Sequence, residues 1–262
     1  MTTFIDKLKK SDIWDRLHHI SLEEMKSVTL MNRTDTKYVA HQRQLRAILE
    51  QAAAKNYMVQ FTQSAVNGYD TTYYDTAALS MYLMHHNRKL HKHKIRCRTY
   101  TDCGISFLEI KDKNNSGRTS KIRMPVRNAA TEKLRSDKKV LDFISNNTVF
   151  NFLRLVPTVK TDFHRITLVN DKKTERITID VELKFKNLMT GNDADLKDLV
   201  IIELKEDGRF VSTMSGILHD LHVKPFHISK YCIGTAMTNP QVKHNRFKRK
   251  LHLLNKIRTN YE

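Results

Sequence analysis

The chain has 262 residues, 40% of them hydrophobic and 28% charged, the balance of a globular protein. Lys and Arg number 46 against 28 Asp and Glu, a formal charge of +18 at neutral pH, which favours anionic partners such as nucleotides, polyphosphate, nucleic acid or acidic lipid. No apolar core of signal-peptide length and no run of eighteen apolar residues occurs, so no leader and no helical membrane span are expected, and the protein is expected to be cytoplasmic. The cysteines Cys97, Cys103 and Cys232 form no CxxC pair, which fits a reducing compartment better than a disulfide scaffold or a zinc site.

In chain order, Phe4 to Leu30 reads as an amphipathic helix, with Ile13, Trp14, Leu17, Ile20, Leu22 and Met25 near helical spacing. A short strand over Asp35–Ala40 leads to a helix from about Arg43 to Lys55. Val59 to Asp75, rich in Tyr, Thr and Val, suits extended strands. Asp75 is placed to cap a helix over Ala77–His86. Strands follow at His91–Tyr100, Ser106–Lys113 and Ser120–Arg127, with turns at Asp102–Gly104 and Asn114–Gly117. Thr131 to Leu155 has helical periodicity. Thr158–Val169, Glu175–Phe185 and Leu199–Lys205 read as strands, the first two joined by a turn at Asp171–Lys173. A helix near Ser212–Leu221 and a basic C-terminal helix, about 240–262, complete the chain. Strands joined by hairpins, with helices inserted, predict an α+β chain built on a closed antiparallel β-barrel, as one domain over 1–262 with the barrel at about 32–236.

Side chains two apart on a strand share a face. Arg96 and Arg98 therefore oppose Ile95 and Cys97, and Glu109 and Lys111 oppose Leu108 and Ile110. Lys121 and Arg123 oppose Ile122 and Met124. Arg176, Thr178 and Asp180 oppose Ile177, Ile179 and Val181, and Glu203 and Lys205 oppose Ile202 and Leu204. One reading is a half-buried sheet with a solvated outer face. The bias of the charged positions towards Lys and Arg favours another, because a surface selected for solubility mixes both signs. A barrel of about eight strands can hold a ligand. Buried cations without partners are costly, so a cationic interior implies an anionic guest or water. Arg suits phosphate because its planar fork donates two parallel hydrogen bonds.

The ordered set R-T-D-T-K-Y (Arg33–Tyr38), Y-Y-D-T (Tyr73–Thr76), K-I-R-C-R-T-Y (Lys94–Tyr100), L-E-I-K-D-K (Leu108–Lys113), G-R-T-S-K-I-R (Gly117–Arg123), R-I-T-I-D (Arg176–Asp180), I-E-L-K (Ile202–Lys205) and S-K-Y-C-I-G (Ser229–Gly234) resembles the VTC domain. That is the polyphosphate-polymerase domain within the triphosphate tunnel metalloenzymes. The resemblance implies a β tunnel that transfers the γ-phosphate of ATP to a growing polyphosphate chain with a divalent metal, Mn²⁺ or Mg²⁺. It implies that Lys37, Arg96, Arg98, Lys111, Lys121, Arg165, Arg176 and Lys230 serve catalysis by gripping phosphate. Arg33, Arg123, Lys205 and His227 are expected to bind substrate, which is ATP with polyphosphate or pyrophosphate. Glu203 matches the metal-binding glutamate, and Glu109 is expected to assist the metal or fix Lys111. Relatives can carry a lysine three residues before Lys230, where this chain has His227, which makes that contact weaker or pH-dependent.

A triphosphatase of the same superfamily is the first alternative. Those hydrolases open with E-x-E-x-K, whereas here Arg33 and Asp35 stand at the two acidic positions, and the loss of an acid favours transfer over hydrolysis. A non-catalytic polyphosphate-binding module is the second alternative. Nucleic acid is disfavoured, because the cations interleave with aliphatics instead of base-stacking aromatics. His85, His86, His91 and His93 invite a metal reading, and H-K-H would place His91 and His93 on one face. No nearby Cys or acid completes a shell, so a basic strand lip is favoured there. Trp14, Tyr73, Tyr74 and Tyr82 read as packing, with adenine stacking on such a ring as the alternative. The basic C-terminal run could touch a membrane surface, RNA or product, against the favoured reading that Phe247, Leu251 and Leu254 dock it on the barrel.

Overall fold

The computed structural model describes residues 2–28, 33–114, 119–208 and 210–260. The expected end of the first helix at Leu30 and most of the turn at Asn114–Gly117 lie outside that set. The N-terminal part holds α1 (Phe4–Lys9), β1 (His18–Ile20) and α2 (Leu22–Lys26), with a 3₁₀ turn at Asp12–Arg16. The single amphipathic helix expected here is therefore broken. Thr3, Ser11 and Ser21 each accept a hydrogen bond from a backbone N–H just downstream, and each restarts the chain in a new helical turn. Ile13, Trp14, Leu17, Ile20 and Met25 are still buried, whereas Leu22 is exposed.

Next come β2 (Arg33–His41), α3 (Leu45–Ala54), β3 (Met58–Gln60), β4 (Asn67–Thr76) and α4 (Ser80–His86). The hairpins β5 (Lys92–Tyr100), β6 (Ile105–Lys113) and β7 (Thr119–Val126) follow, then α5 (Thr131–Ser136) and α6 (Lys138–Asn147). The long helix expected over Thr131–Leu155 divides at Asp137, whose extended backbone and side chain cap α6. The remainder is β8 (Leu155–Val169), β9 (Glu175–Asn187), β10 (Asp193–Leu196), β11 (Leu199–Asp207), α7 (Thr213–Asp220), α8 (Lys230–Thr238) and α9 (Lys248–Thr259).

The main sheet runs β2-β11-β9-β8-β4-β5-β6-β7, every neighbour antiparallel, with β10 beside β9 and the parallel pair β1–β3 attached to β8. It is not closed. Among the described residues β2 and β7 remain its two ends, which corrects the expected closed barrel. The free edge of β2 is instead occupied by the segment before α8, where Pro225 bridges Tyr38 and the Phe226 N–H donates to the Lys37 carbonyl at 2.6 Å.

The open sheet nonetheless curls. β2 and β5 lie five strand steps apart, about 24 Å in a flat sheet. Yet Lys37 Nζ donates to the Ile228 carbonyl and Lys94 Nζ to Ser229 Oγ, on adjacent residues.

The outer face carries Ile177, Ile179, Ile202 and Leu204 against α3 and α7, and Ile95, Cys97, Leu108 and Ile110 against α5 and α6. The inner face changes character along β9. Glu182, at φ 53°, stands where the β8–β9 register shifts, so the inner residues switch from Arg176, Thr178 and Asp180 to Leu183 and Phe185. The apolar portion is covered by α8, where a Cβ on Gly234 would lie 2.4 Å from the Phe185 ring. Glycine there lets the helix sit directly on the sheet. The polar portion stays uncovered and holds the charges.

Candidate functional site

On the inner face the cross-strand pairs Lys37–Glu203–Thr178, Lys205–Arg176, Asp180–Arg165, Thr71–Arg98, Tyr73–Arg96, Arg96–Glu109, Lys94–Lys111 and Lys111–Lys121 set the charged side chains side by side. Period-two alternation in each strand aims them inward, and their aliphatic neighbours hold the opposite face in the core. α8 adds Lys230 and is itself tied down by Tyr231, whose hydroxyl donates to buried Asp75 at 2.5 Å. Asp75 also accepts from the backbone N–H groups of Met81 and Tyr82, capping α4.

Three carboxylates organise the cations. Asp180 accepts both Arg165 Nε at 2.6 Å and Nη2 at 2.9 Å, and Lys230 also pairs with it. Burial alone would raise its carboxyl, but Arg165 and Lys230 outweigh burial and keep it ionised well below the usual carboxylate range. Glu109 is fully buried, with Arg96 Nη2 at 2.6 Å from one oxygen and Lys121 Nζ at 2.5 Å from the other. Burial again opposes ionisation, and Arg96, Arg98 and Lys121 overcome it. Glu203 lies 2.5 Å from Lys205 and 3.8 Å from Lys37, and its side chain keeps 22% of its exposure. Burial is overcome there too, by Lys205 and Lys37.

The other cations have no such partner. Arg98 is 5% exposed, and Nε donates to Thr71 Oγ1 at 3.2 Å. Its guanidinium lies over the Tyr69 and Phe163 rings, and no carboxylate pairs with it among the described residues. Burial together with Arg96 and Arg165 lowers its pKa to about 10. Lys111 has no ion pair or hydrogen bond among the described residues. Burial, then Arg96, Lys121 and Lys94, push its ammonium down to about 6. Arg176 is lowered by burial and by Arg33. This part of the face is short of negative charge, and an anion would supply it.

The remaining expected residues stand at the margin. Arg33 pairs with Asp35 at 2.6 Å. Arg123 is exposed and lies over the Phe107 ring. His227 is exposed beside α9, its carbonyl accepting from Lys250, and burial with Lys250, Lys37, Lys113 and Lys94 lowers its imidazole.

Sequence reasoning passed over Lys94, although it alternates in phase with Arg96 and Arg98. It also left out Asp180, the acid of R-I-T-I-D. Tyr73, read as packing, is buried but accepts from Arg96 Nη1 at 3.3 Å. Burial raises its phenol, while Arg96, Arg98 and Lys94 outweigh that and lower it.

Of these carboxylates, Glu203 fits a divalent ion best. It keeps exposure on the inner face, and phosphate oxygens and water can complete a magnesium-like shell around a single carboxylate. Glu109 does not fit, because it is fully buried and its two oxygens face Arg96 and Lys121.

A curled antiparallel sheet with an inward cationic face and a helix laid inside it defines a tunnel-like architecture with a cationic lining. The sequence profile of the VTC domain matches residues 32–239, and the chain belongs to that family. Membership supports a role with triphosphate or polyphosphate, in a family that includes divalent-metal-dependent enzymes. The fold is shared with a candidate adenylate cyclase from Bacillus halodurans, at 13% identity and a TM-score of 0.50, over 83% of this chain and 100% of that one. A candidate adenylate cyclase from Vibrio parahaemolyticus aligns at 12% identity and a TM-score of 0.47, over 78% and 99% of the two chains. A candidate adenylyl cyclase from Hippeastrum, described as having a dominant triphosphatase activity, aligns at 12% identity and a TM-score of 0.46, over 79% and 97%. No curated protein matches the sequence. No helix among the described residues is long and apolar enough to cross a membrane.

Proposed function

We propose that this chain is a metal-assisted, ATP-dependent polyphosphate polymerase, working in a cytoplasmic setting that suits its three free cysteines. The observation that carries the reading is the pairing deficit on the inner face. Among the described residues Arg98 and Lys111 form no ion pair with a carboxylate, while Glu203, of the three organising carboxylates, keeps 22% of its side-chain exposure. Phosphoryl transfer requires positioning and charge neutralisation more than covalent help from the protein. Arg96, Arg98, Lys111, Lys121 and Lys37 grip the phosphates. Arg165, Lys230 and Arg176 continue the cationic track, and Lys205, Arg33, Arg123 and His227 flank it. Glu203 would hold Mn²⁺ or Mg²⁺, which would supply positive charge against the phosphate. The acceptor phosphate is already anionic at neutral pH, so no strong general base is needed. Transfer is favoured over hydrolysis because Asp35, the acid left in R-T-D-T-K, is engaged by Arg33.

Incubation of the full chain with ATP and Mn²⁺, followed by phosphorus NMR and gel staining, tests this. Polyphosphate with ADP is expected, and both disappear in Glu203→Gln and in Lys37→Ala/Arg96→Ala. Orthophosphate as the only phosphate product would instead make the protein a triphosphatase. Tight polyphosphate binding without turnover would make it a binding module.

A further inference from the structure

We propose that His91, His93 and Asp112 form a second metal site, outside the cationic face, for a divalent transition-metal ion of the zinc class. Along the sequence no acid lies near His91 and His93. The register of β5 and β6 supplies one, by pairing His93 directly with Asp112. His91 Nε2 lies 2.9 Å and His93 Nδ1 3.1 Å from the same oxygen, Asp112 Oδ1. His93 is 5% exposed. Yet neither His93 Nδ1 nor Asp112 Oδ1, both buried, has a hydrogen-bond partner with acceptable geometry among the described residues. Three lone-pair-bearing atoms converge within 4.8 Å of one another, close enough for one cation to take a lone pair from each.

The spacing suits one. Zinc bonds of about 2.0–2.1 Å at tetrahedral angles hold ligand atoms about 3.3 Å apart, a few tenths of an ångström wider than the present gaps. Two imidazoles and one carboxylate favour zinc or cobalt over magnesium, which prefers oxygen ligands. The site is half enclosed. Phe150 packs edge-on against the His93 ring, and His85 Nε2 contacts the His93 carbonyl, while His91 is half-exposed and leaves the fourth position open to water. These residues belong to the face that carries Ile95 and Ile110, on the opposite side of the strands from Lys94 and Lys111. A bound ion would staple β5 to β6 where those strands present their inward lysines, without touching the cationic face.

The test uses the full untagged chain in a Glu203→Gln background, so that the inner-face carboxylate does not contribute. Calorimetric titration with Zn²⁺ is expected to give one equivalent, and Co²⁺ is expected to give the visible bands of a four- or five-coordinate ion. His91→Ala, at a half-exposed position, and the near-isosteric Asp112→Asn are each expected to weaken Zn²⁺ by about tenfold or more. Both should also lose the Co²⁺ bands and the rise in Tm that Zn²⁺ gives the background protein, with an unchanged circular dichroism spectrum. Absence of Zn²⁺ binding in the background, or equal affinity in all three proteins, overturns the site.

Discussion

Asp180 and Arg98 project from the same inner face, above the same aromatic floor of Tyr69 and Phe163, and their electrostatic situations are opposite. Around Asp180 the charges are complete. Arg165 grips it with two nitrogens, Lys230 closes the group from α8, and both cations also lie over aromatic rings. Around Arg98 and Lys111 there are a hydroxyl, aromatic rings and other cations; the charges of Glu109 and Glu203 reach them, but among the described residues neither cation forms an ion pair. A buried charge that loses its partner destabilises a protein strongly, whereas a buried charge that never had one already lowers its stability. The Asp180 cluster is thus part of the scaffold, and the Arg98–Lys111 wall is a place where the fold gives up stability that a phosphate chain can restore.

The largest effect separating the two regions is expected from Asp180→Asn. It leaves Arg165 and Lys230 buried without their acid, and a loss of about 3–5 kcal/mol is expected in urea unfolding. Because Asp180 is held below the usual carboxylate range in the folded state, its contribution is complete above the unfolded value near pH 4 and is lost as the pH falls below it. The stability difference between wild type and Asp180→Asn should therefore shrink in acid. A loss under 1 kcal/mol would place Asp180 with the guest and not with the scaffold. Arg98→Met should do the reverse. Unfolding stability should hold or rise, while affinity for tripolyphosphate in a calorimeter falls about 10–100-fold, the worth of charged hydrogen bonds at about 1.5–3 kcal/mol. A clear drop in stability would mean that Arg98 supports the fold.

Much of this arrangement was legible in the strands. Alternation put Arg96 and Arg98, Glu109 and Lys111, and Glu203 and Lys205 on one side, and the register pairs have kept them there. Closure was not legible, because periodicity describes one strand at a time and does not reveal whether the first and last strands meet. The edge of β2 is occupied by Pro225–Phe226, a contact between segments far apart in the sequence. The bulge at Glu182 was equally hidden. It lets one strand be polar inward at Asp180 and apolar inward at Leu183, a change of phase that a strict two-residue period cannot express. The third ligand beside His91 and His93 was within reach. Once the turn at Asp102–Gly104 is granted, the hairpin brings Asp112 opposite His93, but distance along the chain concealed it.

Lys111 gives the finest discrimination between the two regions, and the smallest effect. Burial and its cationic neighbours bring its pKa to about 6, so at pH 7–8 most of the ligand-free protein holds it neutral. In the unfolded chain it titrates near 10.4. Folding therefore releases a proton between those values, and Lys111 costs stability that grows as the pH falls through that window and levels off below about 6. A phosphate chain reverses the preference, because it favours the ammonium form. Binding at pH 8 is then expected to take up close to one proton at Lys111, read by calorimetry in two buffers of different ionisation enthalpy. The Lys111→Met protein should lack that uptake, bind tripolyphosphate about tenfold more weakly, and resist urea better than wild type at neutral pH. Equal uptake in both proteins would show that Lys111 is charged before the guest arrives, and the distinction between a paired scaffold and an unpaired wall would then rest on Arg98 alone.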